Sequence, residues 1–251
     1  MRDDLLERAI ESDSIVLRFQ PQIGPANGLV LGVEALARWD GEADAQHLFV
    51  RAKSAGLLER LSRHVQRKAI AAASRWDGLL AGLDISINVV AEDLGRAGYD
   101  DWLIHEIQAN GLDPTRLTIE ITESSLVSSP QCAATRMARL RALGVRVALD
   151  DFGVGYTNLA YLAQLPLDAI KIDRGLIAEL GDERGQVVVR TLIAMARDLG
   201  LATVVEGVET LSQYRMVRDW GCNAIQGFLT AGPLDRDELS RFVAITRRQV
   251  A

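Results

Sequence analysis

The segment VALDDFGVGYTNL (residues 147–159) ends an apolar run with two adjacent aspartates, Asp150 and Asp151, and follows them with glycines. Val147 and Leu149 recur with the period of two that is typical of a strand buried by its neighbours. Two neighbouring carboxylates repel each other and lose hydration, so they require a compensating cation or a solvent-exposed strand end. The segment therefore predicts a buried strand with a charged carboxyl end.

Strand-like and helix-like segments alternate along the whole chain. The predicted strands are residues 16–23, 29–39, 84–90, 116–122, 145–150, 168–173, 202–207 and 223–228. The helical segments between them carry capping residues, such as the capping-box pairs Thr210–Gln213 and Asp235–Glu238. Eight strands separated by helices in 251 residues predict an α/β fold, a (β/α)8 barrel of the TIM type. An open doubly wound sheet is the alternative.

The domain organisation is expected to be simple, because no low-complexity linker interrupts the chain. A short lead-in helix is predicted at residues 1–14, followed by a single barrel domain at 15–251. The turn-like GPANG (24–28) between the first two strands allows them to pair as an antiparallel hairpin.

Composition places limits on the function. Hydrophobic residues make up 48% of the chain and charged residues 25%, as in soluble globular proteins. No segment has the length of a transmembrane helix and the charged start lacks a signal peptide, so we expect a cytoplasmic protein without membrane insertion. Cys132 and Cys222 lie in no metal-ligand spacing and are predicted to be reduced core residues. A net charge of −6 without a basic run argues against polynucleotide binding.

Polar groups recur near the carboxyl ends of seven predicted strands, on the face opposite the apolar residues. They are Glu34, Asn88, Glu120, Asp150, Lys171, Glu206 and Gln226. In barrel enzymes this end of the strands carries the active site. A salt-bridged strand end is the simpler explanation for any one of these acids, but seven coinciding positions favour a functional site.

The charges at this end do not balance. The acidic residues are Glu34, Glu120, Asp150, Asp151, Asp173 and Glu206, and the basic ones are Lys171 and Arg38. Because each buried ion carries a desolvation penalty unless it is paired, divalent cations are the natural complement. Oxygen ligands favour Mg²⁺, Mn²⁺ or Ca²⁺ over zinc, and adjacent aspartates suit a two-metal site. The histidines His47, His64 and His105 fall at none of these strand ends.

The chain carries, in this order, the motifs Glu34-Ala35-Leu36, INVV, EITES, DDFGVGYTNL, KIDR, VEGVET and QGF. Together they resemble the EAL-domain cyclic di-GMP phosphodiesterases, over about residues 19–233. The resemblance implies a modified (β/α)8 barrel with one antiparallel strand, in agreement with the hairpin. It also implies an enzyme that hydrolyses the bacterial second messenger cyclic di-GMP to linear 5′-pGpG, by in-line attack of a metal-activated water.

The resemblance assigns roles by position. The family's metal ligands match Glu34, Asn88, Glu120, Asp150 and Asp151. Lys171 and Glu206 match residues that order or deprotonate the attacking water, and a metal-ligand role for Glu206 stays open. The positions grouped as substrate-binding are Gln20, Arg38, Asp173 and Gln226, with Arg38 expected on a phosphate. Glu123 and Glu209 match residues that stabilise loops at the site.

The resemblance further implies Mg²⁺ or Mn²⁺ as cofactors, with Ca²⁺ expected to inhibit. It implies a homodimer, and sensor or cyclase domains in a longer parent chain. One alternative is a catalytically silent receptor module for cyclic di-GMP, which the retained ligands oppose. The other is a Schiff-base aldolase that uses Lys171. The surrounding acids oppose it, because carboxylates raise a lysine's pKa and keep it protonated.

Overall fold

The eight predicted strands all form, and they hydrogen-bond in chain order around a closed barrel. The computed structural model describes residues 3–39, 45–122, 130–153, 162 and 164–250. The strands are β1 (Val16–Ile23), β2 (Val30–Arg38), β3 (Asp84–Val89), β4 (Leu117–Thr122), β5 (Arg146–Phe152), β6 (Ala169–Ile172), β7 (Ala202–Val205) and β8 (Ala224–Ile225). The closed barrel confirms the prediction of a TIM-like barrel, and the alternative prediction of an open doubly wound sheet is wrong.

Strand β1 is the exception to the parallel order. It runs antiparallel to both neighbours, β2 and β8, whereas the pairs from β2 to β8 are parallel. The predicted hairpin and the single reversed strand are therefore confirmed. Because β2 to β8 all run the same way, their carboxyl ends meet at one rim of the barrel.

Helices fill the connections between the strands. They are α1 (Asp4–Glu11), α2 (Ala45–Ser54), α3 (Leu58–Ser74), α4 (Ala91–Gly95), α5 (Tyr99–Asn110), α6 (Pro130–Ala142), α7 (Arg174–Ala178), α8 (Glu183–Asp198), α9 (Leu211–Asp219) and α10 (Arg236–Val250). The capping box of Thr210 and Gln213 begins α9 as predicted. Asp235 and Glu238 exchange side chain-to-backbone hydrogen bonds of 2.8 and 2.9 Å at the start of α10. Among the described helices, none combines the length and apolar character needed to cross a bilayer.

The apolar faces of the strands pack against these helices, as their period-two pattern predicts. Ile85, Ile119 and Ile170 are fully buried within one continuous apolar cluster that includes the inner faces of the helices. A second, smaller cluster joins α1, α2 and α3 through Leu6, Leu48 and other apolar side chains. The interior of the barrel is consequently left to the polar face of each strand.

Strands β7 and β8 end earlier than predicted. Glu206 and Gln226 lie just beyond their last residues, and each is followed by a glycine. Gly207 takes a positive φ of 66° and turns the chain after β7. A Cβ at Gly227 would lie 2.2 Å from the backbone oxygen of Val208, so only glycine allows the two turns to pack this closely. Both polar side chains are therefore held on tight turns at the rim.

The cysteine prediction is half correct. Both are free thiols, and Cys222 is buried as expected, but Cys132 is exposed. The buried side of α6 consists of Ala133, Met137 and Leu140 at helical spacing, which leaves Cys132 on the outer side. The three histidines lie on α2, α3 and α5 and at none of the strand ends, as predicted.

Candidate active site

A buried lysine lies at the centre of the polar rim. The side chain of Lys171, at 1% exposure, extends from β6 into the barrel, and its Nζ contacts four carboxylates. The distances from Nζ are 2.7 Å to Glu120 Oε2, 2.7 Å to Glu206 Oε1, 3.1 Å to Asp150 Oδ1 and 3.4 Å to Glu34 Oε2. The structure thus brings together acids from four different strands or strand ends around one ammonium group.

Glu34 is held by two side-chain amides as well as by the lysine. Asn88 Nδ2 donates to Glu34 Oε1 at 2.7 Å, and Gln226 Nε2 donates to Glu34 Oε2 at 2.7 Å. Asn88 also lies opposite Glu120 in the register of β3 and β4. Each oxygen of Glu34 therefore has its own donor, and this fixes the orientation of the carboxylate.

The two adjacent aspartates are explained by a bulge in β5. Leu149 pairs with Ile170 and Phe152 with Ile172, so β5 uses three steps where β6 uses two. Asp151 takes a positive φ of 54° at this point, a conformation that aspartate tolerates better than most residues. The extra residue interrupts the alternation of faces, so Phe152 still packs in the core while both aspartates remain at the rim.

Asp150, Asp151 and Glu206 form the tightest oxygen cluster of the site. One carboxylate oxygen from each lies within 4.8 Å of the other two. Such a spacing of hard anionic ligands fits Mg²⁺, Mn²⁺ or Ca²⁺, which prefer oxygen donors. Among the described residues, the groups of the rim that could bind a cation are carboxylates and side-chain amides, without histidine or thiolate, and this set fits the same cations.

Burial and the charge of Lys171 act in opposite directions on the pKa values of these acids, and the balance differs from one acid to the next. At Glu34 burial opposes ionisation, but Lys171 and the amide donors outweigh it and hold the pKa below its usual range. At Glu120 burial dominates and raises the pKa well above the usual range, despite the contact with Lys171. Burial also raises the pKa of Glu206, from 4.5 to about 7, again against the pull of Lys171.

Lys171 itself stays charged. Burial alone would lower its pKa, but Asp150, Glu120, Glu206 and Glu34 together raise the pKa well above its usual range. Burial raises the pKa of Asp151, and the neighbouring charges of Asp150 and Asp173 add to this effect. The ammonium therefore partly neutralises a rim that still carries an excess of acid.

The remaining predicted residues take the following positions. Gln20 Oε1 accepts from Gln226 Nε2 at 3.4 Å. Arg38 ends β2 and donates to the carbonyl of Ala37 at 2.8 Å. Asp173 caps α7 by accepting from the backbone N–H of Gly175 at 2.7 Å. Glu209 precedes α9, with its backbone N–H bound to Gln213 Oε1. Glu123 lies outside the described residues.

Sequence reasoning missed two features of the site. Gln22 Nε2 donates to Gln226 Oε1 at 3.2 Å and so helps to orient the amide that holds Glu34. The alternation of Gln20 and Gln22 on β1 was the available signal for this contact. The bulge was also missed, although the apolar positions Leu149 and Phe152 are three residues apart instead of two.

Comparison with known proteins agrees with this geometry. Residues 3–233 match the family described as EAL domain. The bifunctional diguanylate cyclase/cyclic di-GMP phosphodiesterase MucR of Pseudomonas aeruginosa is 35% identical over 245 residues, which is 95% of this chain and 36% of that protein. The chain spans about a third of the length of the first curated relatives it matches.

Two solved structures share the fold. One, described as PaMucR phosphodiesterase in complex with c-di-GMP, superposes with a TM-score of 0.86 at 34% identity, over 93% of this chain and 97% of that one. The other, a calcium and cyclic di-GMP complex of Klebsiella pneumoniae BlrP1, has a TM-score of 0.80 at 29% identity, over 88% of this chain and 56% of that one. From the sequence match and the shared barrel, the chain belongs to the EAL domain, cyclic di-GMP phosphodiesterase family.

Proposed function

We propose that this chain is an active, metal-dependent phosphodiesterase that hydrolyses cyclic di-GMP to linear 5′-pGpG. The observation that carries the proposal is the cluster of Asp150, Asp151 and Glu206, whose oxygens lie within 4.8 Å of one another beside the other rim acids. Water adds to phosphorus as the bond to the 3′ oxygen breaks, which leaves a 5′-phosphate and a 3′-hydroxyl. This single hydrolysis opens the ring of cyclic di-GMP and gives the linear dinucleotide.

The metal-holding residues in this proposal are Glu34, Asn88, Glu120, Asp150 and Asp151, with Glu206 as a further candidate. When bound, Mg²⁺ or Mn²⁺ would activate the attacking water and offset the charge of the phosphate. The acid excess at the rim supports this assignment, because one lysine contacts four carboxylates and leaves them under-neutralised. The bound cations would also offset the repulsion between the acidic rim and a dianionic ligand.

Glu206 and Lys171 would handle the proton and the attacking water. With a pKa of about 7, Glu206 is suited to accept a proton from water near neutral pH. Lys171 stays charged and lies 2.7 Å from Glu206 Oε1, so it would stabilise the carboxylate before the transfer. Arg38, Gln20, Asp173 and Gln226 are proposed to contact the substrate, and Glu123 and Glu209 to stabilise loops.

The aldolase alternative loses support in the structure. A Schiff base needs a neutral amine, whereas four carboxylates keep Lys171 protonated. The silent receptor remains the competing function, and turnover distinguishes it from the enzyme. We further propose the homodimer, the longer parent chain and inhibition by Ca²⁺, all of which stay predictions.

The test is incubation of the purified chain with cyclic di-GMP and Mg²⁺, Mn²⁺ or Ca²⁺, followed by chromatography of the products. We expect linear 5′-pGpG with Mg²⁺ and Mn²⁺, and its loss with EDTA. Binding without any product under all conditions would show a receptor rather than an enzyme. Borohydride trapping of a substrate imine that survives EDTA would instead support the aldolase.

Metal affinity is expected to depend on pH through Glu206. Because burial raises its pKa to about 7, the carboxyl is protonated below that pH and must lose its proton to bind a cation. We expect the Mn²⁺ dissociation constant to rise by about tenfold for each pH unit below 7 through Glu206, and more steeply where Glu120, whose pKa is also raised, must lose a proton as well. Calorimetric titration at several pH values measures this slope.

Glu206→Gln is the matched variant for the titration, since it keeps the shape and removes the proton equilibrium. We expect a flatter pH dependence in this variant. An unchanged slope would show that another group titrates, and would assign Glu206 to the water alone rather than to the metal.

A further inference from the structure

A buried hydrogen-bond network lies behind strand β3, and the proposed function uses none of its members. Ser62 and Gln66 project from α3, Asp93 from α4 and Tyr99 from α5, each at most 1% exposed. The surrounding interface between helices and barrel is apolar. Burying polar groups there carries a desolvation cost that an apolar contact would avoid.

Gln66 is the centre of this network, and its amide has a defined orientation. Nε2 donates to Ser62 Oγ at 2.9 Å and to the backbone oxygen of Asn88 at 3.1 Å. A backbone carbonyl can only accept, so the nitrogen must face Asn88. The hydroxyl of Tyr99 donates to Gln66 Oε1 at 2.9 Å and holds the other side of the amide.

Further contacts hold the network itself in place. Ser62 Oγ donates to Asp93 Oδ2 at 2.5 Å. Arg96 donates to Asp93 Oδ1 at 2.6 Å and also lies 3.2 Å from Glu59. The buried carboxylate of Asp93 is therefore paired, and it holds Gln66 both through Ser62 and by accepting from Gln66 Nε2 at 3.3 Å.

The network contacts the candidate active site at Asn88. Gln66 binds the main chain of Asn88, and the side chain of Asn88 binds Glu34 Oε1 at 2.7 Å. The pairing of β3 with β2 ends at Ile87. Beyond that point, Gln66 of α3 donates to the backbone oxygen of the next residue of β3, Asn88. The peptide that carries Asn88 is thus fixed from outside the barrel.

We infer that Gln66 is a positioning residue for the metal centre, acting through the main chain of Asn88. The inference rests on the proposed function, because it assumes that Asn88 and Glu34 hold a cation. Outer partners that orient metal ligands typically change metal affinity by roughly ten- to a hundredfold when removed. A methionine has similar length and packs in an apolar interface, so packing alone does not require an amide at this position.

The experiment compares Gln66→Met with a control at the other end of the same two elements. Arg116 donates to the backbone oxygens of Ala73 and Leu83, and so joins the end of α3 to the start of β3. We expect Gln66→Met to weaken Mn²⁺ binding at least about tenfold, measured by electron paramagnetic resonance without substrate. Arg116→Met is expected to lower the unfolding midpoint but to change the Mn²⁺ affinity by less than about twofold.

A double-mutant cycle with Tyr99→Phe tests whether the effect passes through Gln66. We expect Tyr99→Phe to weaken Mn²⁺ binding in the wild-type background and to have no further effect in Gln66→Met. Should Gln66→Met fail to fold, Tyr99→Phe alone still carries the comparison with Arg116→Met. Equal Mn²⁺ affinity in the wild type and in these variants would overturn the inference. Absence of Mn²⁺ binding by the wild type would instead overturn the proposed function.

Discussion

Glu34→Ala is expected to lower the turnover of cyclic di-GMP by roughly a thousandfold or more while the barrel stays folded. Glu34 is the acid that Asn88, Gln226 and Lys171 hold from three directions. Its removal deletes a proposed metal ligand and takes from Asn88 and Gln226 the carboxylate to which both amides donate. The pKa of Glu34 lies below its usual range, so its ionised form stabilises the fold, and we expect a lower unfolding temperature without loss of the folded barrel. Steady-state kinetics with Mg²⁺ and thermal unfolding without metal measure the two effects.

Asp84→Ala is the matched control for this experiment. Asp84 begins β3 at the opposite end of the barrel and pairs with Arg146 at 2.7 Å. It is an acid of the same sheet with a defined partner, but it lies away from the rim. We expect its turnover to remain within about threefold of the wild type, as for a partly exposed ion pair. Full activity in Glu34→Ala would contradict the ligand assignment.

Lys171→Met is expected to destabilise the metal-free protein by about 3–5 kcal/mol at pH 8, because it removes the one cation shown among four buried or half-buried acids. Turnover should be lost as well. Lys53→Met is the control, since Lys53 pairs with Glu92 at 2.7 Å in an exposed position. An exposed pair of that kind contributes at most about 1 kcal/mol. Urea unfolding in EDTA compares the two variants.

Lys171→Met should regain stability at low pH and on binding Mg²⁺, because either change offsets its surplus of carboxylate charge. Glu120 and Glu206 already have pKa values above their ordinary value of 4.5, and without Lys171 these rise further. The folded state then binds more protons than the unfolded state, so its stability falls as the pH rises above about 4.5. We expect Lys171→Met to be more stable at pH 5 than at pH 8, and saturating Mg²⁺ to stabilise it. Wild-type stability at pH 8 in EDTA would contradict this account.

The sequence contains most of the information needed for this fold. Ile85, Ile119 and Ile170 alternate with polar residues, and alternation of this kind depends only on local backbone geometry. The sequence alone therefore places Asn88, Glu120 and Lys171 on the polar face of their strands. Parallel strands then bring equivalent ends together, so the convergence of the acids could be predicted as well.

What the sequence did not reveal depends on contacts between distant segments. The place of Lys171 among four carboxylates requires the closed barrel, which brings Glu34 and Glu206 to the same side chain. The link from Gln66 to Asn88 joins a helix to a strand across 22 positions of the chain. Exposure of Cys132 depends on which side of α6 faces the barrel, and its neighbours Ala133 and Met137 decide that orientation.

The bulge of β5 determines how many carboxylates this strand presents to the barrel interior. In a regular strand, one of two consecutive side chains points away from the barrel interior, so a single aspartate would remain available there. The added residue at Asp151 interrupts the alternation of side chains between the two faces of β5. It supplies the second carboxylate while Phe152 remains in the core. The number of carboxylates that the rim offers is therefore governed by strand length at one position, and a one-residue deletion there is expected to leave a single aspartate at this end of β5 without changing the remaining acids.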